Sequence, residues 1–153
     1  GNSAPIESAA LRLREECELL VVKANYYRFE RPVDIVLPDI EWRHGLHGGA
    51  VETAMMLHLR QESVRTDAIS TFPSIAEELE TRGSRILPTG PAAFAWLAGD
   101  LNPLGVVGNA TLASAELGRT LVTHYATILA DIIKDAYHFP IEKLNQRDRS
   151  RKT

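Results

Sequence analysis

The sequence predicts an α/β domain of layered type. An amphipathic helix near the start, an apolar run of β-branched and aromatic residues directly after it, and a long amphipathic helix near the end point there. A helix, a core strand, a loop region and a closing helix fit packed α/β layers better than an all-helical bundle. Few strands are visible, against about five or six in an ordinary sheet. The sheet is therefore expected to be incomplete, with part of the domain lying outside this chain.

The first helix is expected over 4–17. Asn2 and Ser3 are good N-caps, Pro5 suits the first turn, and Ile6, Ala9, Ala10, Leu13 and Cys17 recur at helical spacing. Leu19 to Tyr27 reads as a short buried strand. Arg31-Pro32 breaks the pattern, Val33 to Leu37 forms a short apolar segment, and Pro38 opens a turn-like stretch rich in His and Gly. A second helix is expected just after Gly48-Gly49, carrying Ala54, Met55, Met56, Leu57 and Leu59. Prolines at 73, 88, 91 and 103 predict mostly loop between Gln61 and Gly108, with a helical turn near Ser74 to Leu79. From Thr111 to Tyr137 the helical period returns, placing Leu117, Leu121, Tyr125, Ile128, Leu129, Ile132 and Ile133 on one face. Gly118 inside that helix is expected to mark a close packing contact, and Pro140 limits the helix. The polar, basic tail within 140–153, above all Asn145 to Thr153, is expected to be disordered.

Composition narrows the function. The chain has 153 residues, 44% hydrophobic and 24% charged, which suits one domain with one core. Its longest apolar run, Leu19 to Val22, stops at Lys23, far short of the roughly 18 to 20 residues a membrane span needs. A net charge of −3, with aromatics not interleaved with basic residues, argues against nucleic acid. The single cysteine, Cys17, cannot form an internal disulfide; it reads as a small core residue in a reducing, cytoplasmic setting. The chain opens on Gly-Asn-Ser-Ala-Pro without an initiating methionine, so its true start is expected to have been removed or to lie elsewhere.

The densest chemistry lies between Asp39 and Thr53. His47 supplies an imidazole for proton transfer or metal binding, and Glu52 supplies a hard anionic oxygen. Gly48 and Gly49 let the backbone turn sharply and approach a ligand. Trp42 reads as a packing or interface anchor or as a lid. Asp39 and Glu41 flank the loop and read first as solvated or capping carboxylates, with site carboxylates as the second reading. His44 reads as structural or at the rim, and His58 and His124 as surface or packing residues on helices. His138 complements a helix end, and Glu116 reads as structural, pairing with a backbone group or with an Arg across the fold.

The run His47-Gly48-Gly49-Ala50-Val51-Glu52-Thr53-Ala54-Met55-Met56-Leu57 resembles the His-(Ala/Gly)-Gly-x-x-Glu-Thr-Ser-x-Met-Leu motif of the creatininase (creatinine amidohydrolase) family. Residues 1 to 14 resemble the segment that follows the His-Gly of that family's Asn-Gly-His-Gly-Gly-Asn motif. Trp42 lies near where creatinine hydrolases carry a substrate-covering tryptophan, and Gly105 to Gly118 resembles a later Gly-Val-x-Gly-x-x-x-x-Ala-x-x-Glu-x-Gly stretch. The match runs in colinear order from Gly1 to about Tyr137.

The resemblance implies a layered α/β/α domain over 1–139, apparently lacking its N-terminal half, in a homo-oligomeric amidohydrolase that uses two divalent metal ions, zinc or manganese. By similarity His47 is the proton shuttle to the leaving nitrogen, Glu52 a metal ligand or an orienting carboxylate, and Trp42, Gly48 and Gly49 substrate-binding. The family's first metal-binding segment, Glu-x-His followed by Asp, has no counterpart here, so most ligands are expected from an N-terminal half acting as partner. Gly1 stands where creatinine hydrolases can place a glutamate ligand, which points toward formamide-hydrolysing or peptide-processing relatives. The rival from another class is a non-catalytic fragment or member kept for assembly or ligand binding.

Overall fold

Alanine and leucine, the strongest helix formers, are interspersed with arginine and glutamate near the start. There α1 spans Ser3–Glu16 in the computed structural model, which describes residues 3–144. Arg12 Nε sits 3.0 Å from Glu16 Oε1 one turn on, and Glu18, with φ of +54°, turns the chain away. The tail from Asn145 onward lies outside the described residues.

Two units are described separately. The first comprises the described residues of Gly1–Glu30 and Tyr125–Thr153. The strand expected over Leu19 to Tyr27 is not formed: the segment is irregular and ends in a 3-10 turn at Tyr26–Arg28. A strand exists only through ladder hydrogen bonds to a neighbour, and the paired strands among the described residues both lie in the other unit. Leu19 and Val22 are accordingly about half exposed. Cys17 is exposed rather than a core residue, because it falls just beyond the end of α1. Tyr125 is the buried anchor of this unit, with ring centroids of Tyr26 and Phe29 at 5.5 and 6.3 Å.

The second unit is Arg31–His124. The segment from Val33 to Leu37 forms no helix or strand, and Val33 and Val36 are 95% and 97% exposed. The turn-like stretch after Pro38 proves to be a short helix, α2, Asp39–His44. Its first turn carries Asp39 and Glu41 and its last Arg43 and His44, an order that suits the helix dipole. Helix α3, Ala50–Leu59, starts directly after Gly49 as expected.

Strand β1, Thr71–Phe72, pairs antiparallel with β2, Gly108–Asn109, placing Thr71 opposite Asn109 and Phe72 opposite Gly108. Helix α4, Ile75–Thr81, opens with a capping box: Ser74 Oγ accepts from Ala76 N–H at 3.2 Å and Glu77 Oε1 from Ser74 N–H at 3.1 Å. A one-turn α5, Ala98–Leu101, precedes the long α6, Ala115–Tyr137, which runs through both units.

The core of the second unit is built largely from small residues, with Ala50, Ala54, Ala76 and Ala110 buried beside Leu101, Val107 and Leu121. Small side chains let backbones approach closely, and the contact expected at Gly118 is present. A Cβ there would overlap the Ala54 carbonyl and fall 2.9 Å from His58 Cβ. Along the apolar stripe of α6, Leu121 is fully buried, whereas Leu129 and Ile133 are 42% and 61% exposed. The architecture is mixed and helix-rich with a two-stranded sheet among the described residues, compatible with the α/β class.

Candidate active site

The predicted loop residues His47, Gly48, Gly49 and Glu52 meet at the start of α3. Gly48 has φ of +74°, a conformation that costs glycine little, and this turn carries the chain into the helix. Glu52, in the first helical turn, reaches back so that its Oε2 accepts the Gly48 N–H at 2.7 Å. The same oxygen stands 3.6 Å from His47 Nδ1, an electrostatic contact longer than a hydrogen bond. Thr53 Oγ1 donates to the Gly48 carbonyl at 3.1 Å, and Thr53 N–H donates to Gly49 O at 3.0 Å.

The imidazole of His47 is exposed while its backbone is held. The His47 carbonyl accepts the Val107 N–H at 2.7 Å in an isolated antiparallel bridge. An accessible imidazole on a fixed backbone beside a carboxylate has the form of a general acid–base group.

The residue that sequence reasoning undervalued is Glu41. A capping carboxylate was expected at the surface; the side chain is 5% exposed and lies under the loop. Its Oε1 accepts the N–H of Ala50, the first residue of α3, at 2.6 Å, and its Oε2 accepts the N–H of Asn109 at 2.6 Å. A Cβ placed on Gly45, Gly49 or Gly108 would run into this carboxylate, at 2.8 Å from Oε1 in the case of Gly108. The available signal was the cluster Gly45, Gly48, Gly49 that begins four residues after Glu41. The partner strand at 108–109 was too distant in sequence to suggest itself.

His44 is 4% exposed, its Nε2 2.8 Å from Glu80 Oε2 on α4, while its buried Nδ1 has no hydrogen-bond partner among the described residues. That bond, with the charges of Arg43 and His44, holds the Glu80 carboxyl below its ordinary value. Arg43 Nε stands 3.2 Å from the other oxygen of Glu80. His44 therefore joins α2 to α4.

Trp42, half-buried on α2, carries the Arg31 guanidinium 5.0 Å from its ring centroid, and Arg31 reaches Asp39 at 3.4 Å. His58 and His138 are exposed, and Glu116 pairs with Arg119, which lowers the carboxyl's pKa.

As a metal centre the loop falls short by itself. A catalytic zinc takes about three protein ligands; the junction brings together only His47 and Glu52, and the Oε2 of Glu52 is engaged by the Gly48 N–H. Among the described residues, no group of three His, Cys, Asp or Glu side chains stands ready to hold an ion. Nor is any described helix long and apolar enough to cross a membrane.

In comparisons with known proteins, residues 1–133 match the family model described as creatininase, creatinine amidohydrolase. No curated protein and no solved structure matches the chain.

Proposed function

The chain belongs to the creatininase family, and on that premise we propose that it serves a metal-dependent amidohydrolase cleaving the C–N bond of a small polar amide, cyclic amide or formamide. The observation that carries this reading is the junction itself: His47, exposed and fixed by Val107, stands 3.6 Å from Glu52. Amide cleavage needs a proton delivered to the departing nitrogen, and an imidazole gives and regains one near neutral pH. His47 holds that proton. Glu52, tied to the Gly48 N–H, orients the ring.

Divalent ions, zinc or manganese, when bound supply carbonyl polarisation and a lowered pKa for water. The reading assigns most of their ligands to an N-terminal half of the same domain, whose C-terminal part is residues 1–139. A further chain, that segment or a second copy in a cytoplasmic homo-oligomer, is supported by the bare Val33 and Val36, since large apolar side chains gain from cover. Trp42, Gly48 and Gly49 form the substrate wall.

The test measures metal content and hydrolysis of cyclic amides, formamides and short peptides by the complete enzyme, beside His47→Ala. Turnover of a small amide, cut about a hundredfold to ten-thousandfold in the variant with metal retained, supports the reading. Turnover of peptides alone selects a peptide-processing hydrolase. No turnover with zinc or manganese bound leaves an assembly or ligand-binding role.

A further inference from the structure

We propose that Glu41 is the positioning residue of the His47 loop: its buried carboxylate fixes where the loop sits, through two backbone amides from different parts of the chain. The functional meaning rests on His47 being the proton carrier; the positioning does not.

A buried carboxylate is costly unless hydrogen-bonded, and a hydrophobic side chain would fill the same space without that cost. The carboxylate does what an apolar side chain cannot. One oxygen accepts the N–H of Ala50, which starts α3, and the other the N–H of Asn109 on β2, each at 2.6 Å. Two residues before Asn109, Val107 N–H binds the His47 carbonyl at 2.7 Å. His47 is thereby held on both sides, directly to Val107, and through Ala50 and Glu41 to Asn109.

The glycines support the same arrangement. Gly45, Gly49 and Gly108 leave the space the carboxylate occupies, and each added Cβ would collide with it. Main chain from α2, the loop and β2 closes around one acidic group that touches no reacting atom. Its effect on chemistry passes through the backbone of His47.

The experiment compares the full chain with Glu41→Gln, which keeps the shape but presents an NH2 group to one of the two amides. Amide hydrogen exchange, the His47 imidazole NMR signals and circular dichroism are measured, with Leu121→Ala as a core variant on α6. Expected for Glu41→Gln are unchanged helix content, exchange at Ala50 or Asn109 faster by about tenfold to a hundredfold, as loss of one hydrogen bond to a charged acceptor gives, and altered His47 signals. Leu121→Ala lowers the melting temperature without singling out these positions. The proposal is overturned if Glu41→Gln leaves both amides protected and His47 unmoved, or speeds all amides alike.

Should Glu41→Gln not fold, the wild-type chain decides: the Ala50 and Asn109 protons exchange among the slowest in the second unit, and exchange at ordinary loop rates overturns the proposal. In the complete enzyme, kcat falls in Glu41→Gln while KM holds. Absence of turnover in the wild type sinks the hydrolase reading alone, because the exchange data do not depend on it.

Discussion

The Oε2 of Glu52 lies 2.7 Å from the Gly48 amide nitrogen and 3.6 Å from His47 Nδ1, so one oxygen binds the backbone of the loop and stands close to its imidazole. Removing its charge should loosen the ring without abolishing chemistry. Glu52→Gln is expected to lower kcat about tenfold to a hundredfold, the usual effect of losing an orienting partner, and less than His47→Ala does. Steady-state kinetics on the same substrate checks the order of the two variants.

Gly108→Ala is expected to destabilise by about 1 to 3 kcal/mol through overpacking against the Glu41 carboxylate, with a further penalty because φ there is +113°. Gly99→Ala is the contrast. It meets nothing within 4 Å and lies inside α5, so alanine is expected to be neutral or to stabilise by about 0.5 to 1 kcal/mol. Urea titration of both variants measures the difference.

Gly118→Ala should act with opposite signs in two settings. In an isolated peptide of residues 115–137 it raises helix content, since glycine is about 1 kcal/mol worse than alanine within a helix. In the folded chain the added methyl overlaps the Ala54 carbonyl, and the melting temperature falls. Circular dichroism on peptide and protein reads both signs.

The Glu80 carboxyl, its pKa lowered by the bond to His44 and by Arg43, contributes stability that acid removes. A depressed folded pKa gives stabilisation that is complete above the ordinary value of 4.5 and is lost as pH falls below it through the folded value. Glu80→Gln should remove this contribution. The gap in urea midpoint between wild type and variant is expected to close as pH is lowered through that window.

Local patterns revealed the three longest helices well. The alanine and leucine spacing of α1, the Gly48-Gly49 start of α3 and the long period of α6 are short-range signals, and each produced its element. Gly118 declared itself by interrupting a helix, and a close contact with Ala54 explains it. The run from Leu19 to Tyr27 misled because β propensity reports a fit to a pleated surface, whereas a strand also needs a neighbour. At the site, His47, Gly48, Gly49 and Glu52 were visible because they lie within six consecutive positions. Glu41 was misjudged because its meaning depends on Asn109, and no local pattern announces a partner in a distant strand.

The bond from Glu41 to Asn109 also sets an order of events during synthesis. A nascent chain that has not yet released residue 109 from the ribosome holds the entire histidine and glycine motif but lacks the amide that completes its clamp. Closing so long a loop comes late and slowly compared with forming the neighbouring helices. The His47 loop is thus held by this clamp only after most of the second unit has emerged, and partial translation products carry the motif without its geometry.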